Sequence, residues 1–160
     1  MSPREKCGLA AGRSITGVAP PGIFAGNPTG FGIMRFNSNS SLDPMFGSHG
    51  GLSTTFPNVN FGEIAAVALQ SDGDIVAAGQ AGFQSPNQNQ VTSSFALAPY
   101  LSSGQLDSTF GSGGRVTHSF GSTNSAFIAA MAIQTDGKIV VAGAAGDANG
   151  NIAVARYLAQ

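Results

Sequence analysis

The chain has 160 residues, enough for one domain with a core, yet only 9% are charged and 23 are glycine. With 42% hydrophobic residues and a net charge of −1, it lacks the low hydrophobicity and high charge of a disordered chain. From Ser14 onward four cations face seven anions, so there is no basic face for nucleic acid. The single cysteine, Cys7, excludes an internal disulfide and a zinc site built from cysteines.

Taken in order, residues 1–13 match nothing else in the chain and are expected to be a loose leader. Their basic start is followed by CGLAAGRSITG, which Gly, Arg and Ser interrupt, so no signal peptide is visible; no run reaches transmembrane length. Residues 14–56 form a degenerate first unit, 57–120 a complete second one, and 121–160 a third without its last strand. The units emerge from two repeated stretches. Ala66–Gly79 (AVALQSDGDIVAAG) and Ala130–Gly143 (AMAIQTDGKIVVAG) share nine of fourteen residues, and each places Asp-Gly between two apolar runs. That pattern predicts a β-hairpin, since Gly supplies the positive φ of a tight turn without steric cost. Leu42–Phe56 repeats as Leu106–Phe120, each opening with LDxxFG.

In the complete unit the expected strands are a (64–70), b (74–79), c (95–100) and d (115–120), an antiparallel meander. In the first unit Val18–Gly22 (VAPPG) stands where Asp-Gly is expected, and Ile23–Gly26 (IFAG) takes the place of strand b. Strand c alternates Phe31/Ile33, Phe95/Leu97 and Ile152/Val154 on one face. The other face has Met34/Phe36, Ala98/Tyr100 and Ala155/Tyr157, so each sheet is expected to be covered on both sides. The alanines of strands a and b suit close sheet-on-sheet packing. The fold class is therefore all-β, with four-stranded antiparallel blades of a β-propeller, about two and a half to three of them; closed propellers need roughly four to eight.

VALQxDGxIVxAG, a FALARY-like strand and LDxxFGxxG together resemble the delta-60 repeat, the DUF5122-type β-propeller repeat of bacteria. The resemblance covers roughly residues 22–160 and implies blades in exported or surface-associated proteins, with no catalytic residue to carry over. Two departures stand out: the first unit lacks Asp-Gly, and Pro99 replaces the Arg found at Arg35 and Arg156. Proline removes a ladder donor, so a bulge or an outer position is expected there.

Chemical constellations are sparse. Asp72-Gly73 and Asp136-Gly137 read as turn formers, and Asp43 and Asp107 as carboxylates that fix the c–d loop, with Phe46 and Phe110 as apolar plugs. His49 and His118 occupy different places in their units, so no site recurs from blade to blade. Asp147-Ala-Asn149-Gly-Asn151 has the opening of a calcium loop, but no carboxylate follows to complete it; an Asn-Gly turn is the expectation. No catalytic residue, cofactor or metal is therefore expected, and no known catalytic motif is present.

Between strands b and c the connections are 27–30, 80–94 and 144–151, and variation concentrates on that end of the blades. The longest, 80–94, is uncharged and offers Gln84, Asn87, Gln88, Asn89 and Gln90 as a candidate ligand-binding loop; it reads either as such a surface or as a tolerated insertion. The expected function is a non-enzymatic scaffold or binding module of an extracellular or surface protein. Its partners would be further blades of the chain or a homo-oligomer that completes the ring, with a carbohydrate or protein ligand. The alternatives are part of a propeller hydrolase or lyase, for which only Glu63 speaks, and a non-functional fragment.

Overall fold

A computed structural model describes residues 8–12, 30–85, 91–121, 125–146 and 150–158, which form ten strands and no helix. They build three antiparallel sheets. β1 (Gly8–Gly12), β2 (Gly30–Phe36) and β3 (Gly51–Thr55) make the first. The second is the meander β4 (Phe61–Leu69), β5 (Ile75–Gln84), β6 (Val91–Tyr100) and β7 (Val116–His118). β8 (Ala126–Ile133), β9 (Ile139–Ala145) and β10 (Asn151–Tyr157) make the third. The chain is all-β, and its sheets are partial and complete propeller blades.

The Asp-Gly hairpins close alike. In the β4–β5 turn the Gln70 N–H donates to Asp74 O, Gly73 takes a φ of 93°, and Asp72 Oδ1 accepts the Asp74 N–H. In the β8–β9 turn Gln134 donates to Lys138 O, and Asp136 Oδ1 accepts the Lys138 N–H. The Lys138 ammonium and that N–H hold the Asp136 carboxyl below its usual range. Midway along strand a of each hairpin lies a bulge, between Ile64 and Ala66 and again between Ile128 and Ala130.

Two expectations fail in the first unit and at Pro99. Gly8–Gly12 is not a loose leader but β1, and it holds the strand b position: Gly12 lies opposite Gly32 as Gly79 lies opposite Ala96. The physical reason is that GLAAG repeats the apolar-then-Ala-Ala-Gly pattern of IVAAG, so it satisfies the same ladder. Ile23–Gly26 lies outside the described residues. Pro99 causes no bulge, since β5 and β6 stay in register through Val76 and Pro99. Its carbonyl accepts the Asp107 N–H on the side away from β5, so its missing N–H faces the stretch that the short β7 does not cover.

Two cores lie between the sheets. Phe31 and Ile33 of the first sheet meet Ile75, Ala77, Ala96, Ala98 and Tyr100 of the second. Val76, Ala78, Phe95 and Leu97 on its other side meet Ile128, Ile139, Val141 and Ala153 of the third. The alanines let the backbones approach, and among the described residues only the middle sheet is covered on both faces, where every sheet was expected to be. In each c–d loop the aromatic of LDxxFG reaches across to the next sheet: Phe46 joins the core around Tyr100, and Phe110 sits 6.4 Å from the Tyr157 ring.

The two interfaces differ at one polar contact. Tyr100 is fully buried and its hydroxyl donates to Thr54 Oγ1 at 2.9 Å. The equivalent Tyr157 hydroxyl is buried without a partner, and burial pushes its pKa up to about 12. His118, in the register position of Thr54, stands 6.5 Å away ring to ring. An orphaned buried hydroxyl costs free energy that a partner recovers. His118→Thr is therefore expected to raise unfolding free energy by about 1 kcal/mol in urea titrations, and Thr54→Ala to lower it by about the same.

Candidate functional site

Residues 80–84 and 91–94 are strand rather than loop. β5 and β6 continue through them as a paired hairpin, with Ala81 opposite Ser94, Gly82 opposite Ser93, Phe83 opposite Thr92 and Gln84 opposite Val91. The reason is backbone satisfaction: a ladder pairs the amides of QAGFQ and VTSSF although their side chains do not alternate cleanly. Asn87, Gln88, Asn89 and Gln90 lie outside the described residues, as do Asp147 and Asn149. Asn151 begins β10 opposite Ala145.

The stem of this hairpin is fixed on two sides. Asn60, just before β4, donates from Nδ2 to Gln84 O at 2.8 Å and accepts the Gln84 N–H on Oδ1 at 2.7 Å. Buried Ser93 donates to Ala126 O at 2.9 Å and accepts the Ala126 N–H at 3.0 Å, which ties β6 to the third sheet. Phe83 and Val91, at opposite faces of the stem, are 48% and 42% exposed beside the exposed Gln84 side chain. The described stem is thus pinned on two sides and presents apolar and amide surface. Asn60, Ser93, Phe83 and Val91 were not marked by the repeat, because they lie outside the Asp-Gly and LDxxFG motifs.

Elsewhere the conspicuous side chains hold the fold. Asp43 Oδ1 accepts the Met45 N–H, and Asp107 Oδ1 accepts the Thr109 N–H, so both carboxylates cap the turn of their LDxxFG loop. The Met45 N–H and the Arg35 guanidinium lower the Asp43 pKa. Arg35 pairs with Asp43 at 2.8 Å, stacks 4.6 Å over the Phe46 ring and donates to Ser102 O of the second sheet. Glu63 accepts from the Gln80 amide at 3.2 Å on an adjacent strand. His49 bonds Ser48 in the first c–d loop, whereas His118 lies on β7 against Phe120, so the two belong to different sheets.

An open cleft of about 300 Å³, lined by Phe56, Pro57, Ser112, Arg115, Val116 and Thr117, lies where the first and second sheets meet. Arg115 donates to Thr55 O at 2.7 Å across that junction, while its Nε is buried without a partner. Arg115 aligns with Gly51, so the repeat gave no signal for it. Among the described residues no three His, Cys, Asp or Glu side chains cluster to hold a metal, and no helix is long and apolar enough to cross a membrane. This geometry offers surfaces for contact; neither the stem nor the cleft pairs a nucleophile with a base.

A family model described as a domain of unknown function (DUF5122) β-propeller matches residues 22–46 and 134–160. No curated protein and no solved structure matches the chain. The first matched segment contains Ile23–Gly26 and runs through β2 to the plug Phe46; the second runs from the Asp136-Gly137 turn through β9 and β10. Two stretches of the chain, 22–46 and 134–160, thus resemble the DUF5122 β-propeller family.

Proposed function

We propose that the chain is a non-enzymatic propeller scaffold and binding module of an exported or surface bacterial protein. Its stacked sheets form the support, further blades of the same kind complete the ring, and the β5–β6 hairpin contacts a carbohydrate or protein ligand. The observation that carries this reading is the stem pinned by Asn60 and Ser93 while Phe83, Gln84 and Val91 remain open to solvent. A preorganised arm loses little entropy on binding, and exposed aromatic and amide groups suit sugar rings and peptide backbones.

The test is a variant in which residues 83–92 are replaced by an Asn-Gly turn, read on a glycan array and on a panel of immobilised peptides. Gly82 and Ser93 are kept, so the tie to Ala126 survives while the two Asn60–Gln84 bonds are lost, and stability is expected to fall by about 1 kcal/mol. Binding by the natural chain should fall at least tenfold in the variant. Equal binding by both chains, or none by the natural one, would overturn the role of the hairpin.

A further inference from the structure

One cation of the second sheet has no counter-charge and lines an open cleft. Arg35 pairs with Asp43 and Lys138 with Asp136, whereas no carboxylate among the described residues pairs with Arg115. Tyr100, which feels the Arg115 charge, supplies none, since burial holds its hydroxyl well above the ordinary phenol range. Arg115 gives one N–H to Thr55 O at 2.7 Å and has a second, at Nε, buried without an acceptor. A guanidinium carries five N–H donors, so further ones remain.

The blade does not need this side chain for its backbone. In the first unit Gly51 closes the same c–d loop: its carbonyl accepts the Ser48 N–H, as the Arg115 carbonyl accepts the Ser112 N–H. The position is therefore filled without a guanidinium in one unit and with one in the other. The bond to Thr55 O holds the half-buried Arg115 in place, which lowers the ordering cost of binding a charged partner.

The rest of the cleft narrows the chemistry of that partner. Its volume of about 300 Å³ is at the small end of ligand sites and suits a single ring. Phe56, Pro57 and Val116 give it an apolar side, while exposed Ser112 and Thr117 give hydroxyls that both donate and accept. None of the lining residues is acidic. A sugar acid matches this set, with ring hydroxyls, an apolar C–H face and one carboxylate. An acidic peptide matches it less well, because it needs backbone partners and β7 beside the cleft is an edge of only three residues.

We propose that this cleft binds the carboxylate-bearing ring of an acidic saccharide, with Arg115 as the group that takes the carboxylate. Guanidinium–carboxylate pairs are charge-assisted and often bidentate, so this contact selects uronates over neutral sugars. The site stands apart from the β5–β6 hairpin. It uses the junction of the first and second sheets and none of the hairpin's residues.

The test is a nuclear magnetic resonance titration of the full chain with short oligomers of galacturonate, glucuronate and mannuronate, their neutral parent sugars and an Asp-rich peptide. At least one uronate should shift the Arg115 Nε–H signal together with the Ser112 and Thr117 amides, and bind about tenfold tighter than its neutral parent. Arg115→Gln should lose that selectivity. Because it also gives up the bond to Thr55 O, Thr117→Glu is the second variant: it keeps that bond, adds a like charge at the exposed rim, and should weaken uronate binding by about tenfold as well. The chain with residues 83–92 replaced should bind the uronate as the natural chain does, so the hairpin reading and this one fail separately. No shift at Arg115 with any uronate, equal binding of uronate and neutral sugar, or uronate binding unchanged in either point variant would overturn the proposal. Tighter binding of the peptide would assign the cleft to an acidic protein partner and overturn it too.

Discussion

Phe46→Ala is expected to cost about 3–5 kcal/mol, the range for removing a well-packed aromatic from a core. Phe46 is 0% exposed, yet it belongs to a loop of the first sheet and is buried in the core shared with the second. Its removal empties the junction rather than the interior of either sheet. The Arg35 guanidinium stacked 4.6 Å from the ring loses that surface as well, although its pairing with Asp43 stays intact. Repeat architectures are held by intrinsic terms and nearest-neighbour interfaces. The variant should therefore unfold in two steps in urea, the first sheet before the second and third, where the natural chain gives one. Phe110→Ala should cost less, because its partner Tyr157 is itself only half-buried and Pro99 replaces the stacking arginine. Circular dichroism and intrinsic tyrosine fluorescence separate the steps, since both tyrosines lie on the second and third sheets.

How much of this was legible follows from where each feature's cause lies. The Asp-Gly turns and the LDxxFG loops are local chemistry: Asp72, Asp136, Asp43 and Asp107 each bond a backbone N–H two residues on, and that geometry travels with the motif. Strand identity is non-local. β1 escaped because Gly8–Gly12 lies 67 residues before Ile75–Val76-Ala77-Ala78-Gly79 whereas the Asp-Gly and LDxxFG stretches recur at 64, and a ladder selects a strand by what pairs with β2, not by spacing. The hairpin stem escaped for a related reason. Its amides are satisfied by cross-strand bonds and, at Gln84, by Asn60, while Ser93 ties it to Ala126; none of these shows in a period-two pattern of side chains.

The interfaces also separate what the repeat shares from what each blade adjusts. Both junctions use small residues facing large ones and a Phe from LDxxFG as a plug. Only the first completes the tyrosine contact with Thr54, and only the first has an arginine that reaches the next sheet from strand c. The blade copies are thus alike in turn chemistry and unequal in stability, with the first junction the better satisfied. That inequality fixes where a single added atom does most harm.

Gly104→Val tests that point and is expected to cost about 2–5 kcal/mol, combining overpacking with left-handed backbone strain. Gly104 has a φ of 89°, and a Cβ there would lie 2.8 Å from the Gly47 nitrogen and 3.1 Å from the Phe46 ring. The neighbouring Gly47 N–H donates to Ser103 O at 3.0 Å, so the c–d loop of the first sheet cannot retreat without losing a bond between sheets. Conformation and space are separable here because the repeat supplies a control. Ser40 occupies the equivalent position in the first unit at a φ of 66°, which shows that this loop tolerates a side chain where no preceding plug presses on it. Gly104→Ser should therefore destabilise through its contacts with the Gly47 backbone and the Phe46 ring together. The double variant Gly104→Ser with Phe46→Ala should then lose less than the sum of the two, as neighbours sharing a contact do. Additive losses in urea titrations would place the cost of Gly104 substitution in its backbone rather than in the plug it supports.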